Sequence, residues 1–216
     1  ATGDTQLGYQ LVKQALLEGK HVVTASKALL SQHMEELSAL AAHRGCHLLY
    51  EASVCGGMPL IKPLKDLPQL GEVISLRGII NGSCNYILHA MQQGKSYETA
   101  VDRARQLGYL EADASSDVKG WDARRKLRIL ASLAFGGSVL EEQILCHGID
   151  RVALEDVKAL WEAGYAVRLL GRAVCSGGQV AASVLPWALP QGTVLAGVQG
   201  ADNLLEVEAQ YLGRLC

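Results

Sequence analysis

No stretch of this chain places three glycines at the G-x-G-x-x-G spacing between a strand and a helix, so the loop that grips a dinucleotide's phosphates is missing from it. Nor is there a C-x-x-C pair. The six cysteines (Cys46, Cys55, Cys84, Cys146, Cys175, Cys216) are scattered, which argues against a zinc framework or a dense disulfide scaffold and for reduced, cytosolic thiols. His43, Cys46 and His47 lie close together, but no second ligand pair has the spacing of a structural metal site. The longest apolar runs, such as Leu130 to Phe135, fall far short of the roughly 20 residues a membrane-spanning helix needs. Charge of one sign is also lacking. With 20 basic and 22 acidic residues the chain has no electropositive excess for phosphate backbones, and nucleic acid is excluded as an expected partner. Aromatic residues are scarce, with a single Phe, so the core must be built from Leu, Val, Ile and Ala. The start, Ala1 to Gln6, is polar and has neither a basic stretch nor an apolar one, unlike a signal peptide; it also lacks Met, as a fragment would.

What is present is a 216-residue chain, 49% apolar and with 23 glycines, a composition that suits an α/β or α+β enzyme. Leu7, Leu11, Ala15 and Leu16 recur at helical period and stop at Gly19. His21 to Ala25 reads as a short buried strand, 28–44 as a second helix with Leu30, Met34 and Leu37 on one face, and Cys46 to Ala52 as a second strand. This is the rhythm of a doubly wound sheet, entered on a helix. Beyond Gly56-Gly57 the pattern changes. A strand is predicted over 72–80 and helices over 83–93, 96–107, 117–135 and 154–163; two strands flank Ser176-Gly177-Gly178, and a last one covers 204–212.

Four stretches could carry chemistry. In Gly108 to Lys126 four carboxylates precede a lysine, and Asp122 and Lys126 share a helix face at i,i+4. Alone, that pair is an ordinary solvated ion pair, and Asp117 an N-cap. In a cleft, Lys126 could instead move a proton to or from a substrate hydroxyl, if desolvation offsets its carboxylate neighbours. Gly120 in a first helical turn suggests a close approach to the backbone. The Glu51 to Pro59 stretch ends a strand in a paired-glycine turn, which is either a plain turn or one whose carbonyls face a hard cation. Asn81-Gly82-Ser83 reads as a hairpin turn or a helix start capped by Ser83. Val22 to Lys27 delivers a lysine at the carboxyl end of a strand, either merely exposed or on the edge where doubly wound sheets bind ligands.

Taken in order, His21 to Lys27, Tyr50 to Pro59, Asn81 to Ile87 and Gly108 to Lys126 resemble the homoserine dehydrogenases, whose pattern runs H-V-V-T-A-N-K, Y-E-A-x-V-x-x-G-x-P, N-G-T-x-N-Y-I and G-Y-x-E-A-D-P-x-x-D-V-x-G-x-D-A-x-R-K. The chain departs from it at Ser26, Cys55, Ser83, Cys84 and Ala114. The resemblance implies an α+β fold with a mixed open sheet covered by helices and a Rossmann-type remnant in front. It implies NAD(P)-dependent interconversion of L-homoserine and L-aspartate 4-semialdehyde, on the route to threonine and methionine, by a cytoplasmic homodimer. By the same resemblance Lys126, with Asp122, transfers the proton; Glu111 (to the amino group), Asp117 and Gly108 bind substrate; and Lys27 lies at the nicotinamide end of NADP or NAD. Glu51, Val54, Gly56 and Met58 hold a monovalent cation such as sodium. In the family the phosphate-binding segment lies upstream of the matched region. Residues 1–26 are therefore expected to be the tail of a truncated dinucleotide-binding domain, and 27–216 a substrate, catalytic and dimerisation domain that binds cofactor weakly alone. The alternatives are a non-catalytic oligomerisation or ligand-binding module on the same fold, and a dehydrogenase for a related amino acid.

Overall fold

The computed structural model describes residues 4–216; Ala1 to Gly3, where the expected nucleotide-binding tail begins, lie outside the described residues. Helix α1 (Thr5–Leu17) starts where the Asp4 carboxylate accepts the N–H groups of Gln6 at 2.8 Å and Leu7 at 3.2 Å. It ends as Gly19 turns to φ +78° and Lys20 N–H reaches back to the Ala15 carbonyl at 2.9 Å. β1 (Val22–Val23) pairs in parallel with β2 (Leu48–Leu49), and α2 (Lys27–His43) makes the crossover between them. Both strands are shorter than the sequence implies. Only two residues of each are laddered, and Glu51–Ser53 coils into a single 3₁₀ turn where strand was expected. No further strand flanks either one among the described residues, and an isolated pair cannot hold a long ladder.

The rest of the chain forms a six-stranded mixed sheet and its helical cover. After α3 (Ile61–Asp66) come β3 (Val73–Ile79), α4 (Gly82–Gln92), α5 (Tyr97–Gln106), α6 (Ser115–Val118), α7 (Trp121–Phe135), β4 (Leu145–Cys146), α8 (Leu154–Glu162), β5 (Tyr165–Ser176), β6 (Gln179–Pro190), β7 (Leu204–Ala209) and β8 (Gly213–Leu215). The strand order is β4-β6-β5-β3-β7-β8, antiparallel except for the β4–β6 edge. β5 and β6 form a hairpin closed by Gly177 and Gly178, both at positive φ, as the predicted two-residue turn requires.

α7 is the centre of the core. Leu127, Leu130, Ala131 and Ala134 join Leu76, Val167, Leu169 and Ala173 of the sheet and Ile87, Leu88 and Met91 of α4 in one buried cluster. Each such leucine, fully buried, stabilises the fold by about 1.5–3 kcal/mol. Arg128, on the far side of α7, donates to Glu35 of α2 at 2.6 Å, which ties the N-terminal pair of strands to the sheet domain. On the opposite sheet face a smaller cluster of Ile79, Ala166 and Leu170 is covered by Leu195 and Ala196. The predicted helix over 117–135 is in fact two. Gly120, at φ +80°, breaks the run between α6 and α7, and a side chain there would meet Cys146 Sγ at 3.1 Å. The break is buttressed by Gly148, where any Cβ would collide with the Val118 carbonyl, and by Ile149 N–H, which donates to that carbonyl at 2.7 Å.

Candidate active site

The break between α6 and α7 sets the geometry of the site. It turns the chain so that Asp117 on α6 and Asp122 and Lys126 on α7 converge on the carboxyl end of β3. Lys126 Nζ lies 2.8 Å from Asp122 Oδ2 and donates to the Ile80 carbonyl at 3.0 Å. Lys27, the first residue of α2, reaches the other oxygen of the same carboxylate, with Nζ 2.9 Å from Asp122 Oδ1. Ser26, at the position that departs from the family pattern, caps α2 and so fixes where that lysine leaves the chain. Asp122 is buried; burial works against its charge, but Lys126 and Lys27 outweigh that and hold its carboxyl below the usual carboxylate range. Asp117 is pushed upward instead, because burial and the Asp122 charge exceed the help of its hydrogen bond from Asn81.

Asn81 is the residue that sequence reasoning missed. It, rather than Ser83, caps α4: its Oδ1 accepts the N–H of Cys84 at 2.8 Å. Its Nδ2 donates to Asp117 Oδ1 at 2.7 Å and to Asp122 Oδ2 at 2.9 Å. An asparagine directly before a glycine at a helix start was the available signal, overshadowed by the serine two residues on. Asp117, expected as an N-cap, lies inside α6 and points at this amide instead. Its carbonyl accepts from Cys84 Sγ at 3.2 Å. Burial pushes the Cys84 thiol far up and that of Cys55 to about 11, so both stay protonated beneath the site.

The remaining predicted residues surround this centre without joining it. Gly108 ends α5 at φ +76°, and the strand of loop that follows is held to α4 by Ser83 Oγ, which donates to the Tyr109 carbonyl at 2.6 Å. Glu111 is exposed on that loop and makes no hydrogen bond or ion pair among the described residues. Glu51 accepts the N–H groups of Ile61 at 2.7 Å and Lys62 at 3.2 Å, at the start of α3. The turn after it, with Cys55 at φ +44° and Gly57 at φ +92°, leaves the carbonyls of Val54, Gly56 and Met58 without a donor among the described residues. Cys55 Sγ approaches the Ile80 carbonyl at 3.7 Å, so this turn backs directly onto the oxygen that Lys126 uses. A cavity of about 500 Å³ lined by Glu72, Phe135 and Cys175 contributes none of these groups. No cluster of three His, Cys, Asp or Glu side chains could hold a metal ion, and no helix is long and apolar enough to cross a membrane, among the described residues.

Two family models match the chain: homoserine dehydrogenase over residues 59–216, and the homoserine dehydrogenase NAD binding domain over residues 1–51. The homoserine dehydrogenase of Synechocystis sp. is 38% identical over 99% of this chain and 50% of its own length. A crystal structure of a homoserine dehydrogenase from Thiobacillus denitrificans superposes with a TM-score of 0.93 at 37% identity, covering 98% of this chain and 49% of that one. A hyperthermophilic archaeal homoserine dehydrogenase in complex with NADPH gives 0.81 at 29% identity, over 96% of this chain and 60% of that one. The chain thus spans about half the length of the curated relatives it matches. With the mixed sheet, the four motifs and the family models in agreement, the chain belongs to the homoserine dehydrogenase family.

Proposed function

We propose that this chain carries the proton-transfer centre of a homoserine dehydrogenase, which interconverts L-homoserine and L-aspartate 4-semialdehyde with NADP or NAD. The observation that carries the reading is the environment of Lys126. Its Nζ has two fixed partners, Asp122 Oδ2 and the Ile80 carbonyl, and no third among the described residues. A neutral amine has two N–H bonds and one lone pair. Both hydrogens can stay on those two acceptors, which turns the lone pair into the remaining tetrahedral direction. A substrate hydroxyl placed there gives up its proton to Lys126, and in the reverse reaction the ammonium returns it to the carbonyl oxygen. Asp122 steadies the ammonium that forms, and Lys27 on its other oxygen keeps that carboxylate ionised. Glu111, exposed and unpartnered on its loop, and Asp117 supply negative charge for the substrate's amino group, beside the backbone at Gly108.

The nicotinamide, when bound, accepts or returns the hydride. Lys27 is the residue present that would lie against that end of the cofactor: it stands at the carboxyl end of β1 and joins the proton-transfer cluster directly. The archaeal relative with bound NADPH supports this cofactor class. We likewise propose a monovalent cation in the turn of Glu51, Val54, Gly56 and Met58. Its donor set is all oxygen, as suits a hard cation: three carbonyls that receive no N–H among the described residues, and the Glu51 carboxylate, whose remaining lone pairs would face the ion beside its hydrogen bonds from Ile61 and Lys62. The further parts of the reading are a nucleotide-binding tail at 1–26 joined to a substrate and dimerisation domain at 27–216, a cytoplasmic homodimer, and a place on the route to threonine and methionine.

The test is reduction of NADP⁺ or NAD⁺ by the native protein with L-homoserine, followed by the absorbance of the reduced nicotinamide. Turnover with L-homoserine but not with L-serine or L-threonine is expected. A protein that is folded, binds NADP(H) and turns over none of them overturns the reading. Replacing sodium and potassium by choline should lower the rate if the turn holds a cation.

A further inference from the structure

We infer that Asn81 is a positioning residue for proton transfer: its side-chain amide is the spacer that keeps Asp117 and Asp122 apart and aims Asp122 at Lys126. This rests on the functional reading above and deepens it. The amide orientation is fixed by its surroundings. Cys84 N–H can only donate, so Oδ1 must face it and Nδ2 must face the carboxylates. Nδ2 has two hydrogens, and each has an acceptor, Asp117 Oδ1 at 2.7 Å and Asp122 Oδ2 at 2.9 Å. Among the described residues no other neutral donor bridges the two acids. The side chain is buried, so water does not replace it.

The consequence concerns direction as much as charge. Asp122 Oδ2 receives both Lys126 Nζ and Asn81 Nδ2, while Oδ1 is left to Lys27. The carboxylate is therefore held at both oxygens from three elements, α2, the end of β3 and α7, and cannot rotate about its Cβ–Cγ bond without losing contacts. Lys126 inherits that rigidity. Its second partner, the Ile80 carbonyl, is the residue next to Asn81, so one short piece of backbone aligns both groups that flank the reacting nitrogen. The charged and titratable groups facing this point are Lys27 from α2, Asp117 from α6, Asp122 and Lys126 from α7, and the thiols of Cys84 and Cys55 from α4 and the turn.

Serine at this position keeps a good helix cap for Cys84 N–H but cannot bridge two carboxylates. Aspartate also keeps the cap but adds a third negative charge. In the native protein, Asn81→Ser is expected to fold with a lowered melting temperature, because two buried carboxylates lose a donor, and to lose about tenfold to a hundredfold in kcat while changing KM for L-homoserine much less. Its Asp117 carboxyl, followed by carbon-13 NMR, should titrate at higher pH than in the wild type, because a hydrogen bond that favours the ionised form is gone. Asn81→Asp, which puts a third carboxylate between Asp117 and Asp122, should change the pH dependence of kcat. A wild-type kcat in Asn81→Ser with an unmoved Asp117 titration overturns the inference, as does an Asn81→Asp pH profile that superimposes on the wild type. Absence of homoserine turnover by the wild type itself overturns the functional reading instead, so the two failures are distinguishable.

Discussion

The two ends of this chain use the same kinds of residue to opposite effect. In the α1 to β2 segment, Val-Val and Leu-Leu have the composition of strands covered on both faces, yet Val23 is 80% and Leu49 56% exposed, and Leu7 and Leu11 of α1 also face outward. In the β3 to β8 segment, Val73, Leu76 and Ile79 are all buried between helices on one face and Leu195 and Ala196 on the other. Apolar pattern sets which element forms; burial requires that the neighbouring layer be present. The first segment is a two-stranded corner without its neighbours among the described residues, and the second is a closed core with the chemistry at its edge.

The largest test of that contrast is kinetic. Lys126→Ala should lower turnover by about 10²–10⁴-fold while binding of the reduced nicotinamide, read by its fluorescence, is unchanged; equal loss of both would place the chemistry in the first segment as well. In the core, Leu130→Ala is expected to cost about 2–5 kcal/mol in urea unfolding, because a fully buried α7 leucine leaves a cavity among tight neighbours. Gly120→Ala should cost about 1–2 kcal/mol, from positive φ alone, with Cys146 and Val184 crowding the new methyl. At the other end Val23→Ser should fall within about 0.5 kcal/mol of the wild type. A large loss there would mean that the strand is covered in solution.

The acids at the site divide by sign. Asp122 has a folded value below its unfolded one of about 3.9, so its stabilisation is present above that pH and lost as pH falls through the lower folded value. Asp117 has a folded value above about 3.9, so its contribution is complete below that pH and lost as pH rises through the raised value. Urea midpoints measured across this range should therefore fall less steeply in acid for Asp122→Asn, and decline less above about pH 4 for Asp117→Asn. Identical pH profiles for both variants and the wild type would remove the charge balance from the description of the site.

Much of the fold was legible locally. Asp4, Ser26 and Ser96 cap helices as such residues do, and Gly19, Gly45 and Gly108 end them at positive φ. The Gly177-Gly178 turn announces its hairpin. The pairing of Asp122 with Lys126 followed from i,i+4 spacing alone. What spacing could not show was the helix break. Asp117 lies five residues before Asp122, and in one continuous helix it would diverge from Lys126; only the left-handed Gly120 and the wedge of Gly148 fold it back. β4, two residues long, pairs with β6 across a long stretch of sequence and left no local pattern to find.

By itself, then, the sequence determined the chemistry available: two lysines, two close acids, a glycine turn with unclaimed carbonyls, and no phosphate-gripping loop. Those are properties of residue type and short-range spacing. The tertiary structure alone decided that Lys27, separated from Asp122 by helices α2 to α6, shares its carboxylate with Lys126, and that Asn81 stands between the acids. Charge can be counted along a chain, but a hydrogen bond of under 3 Å between distant residues exists only once the sheet and helices have fixed the backbone on both sides.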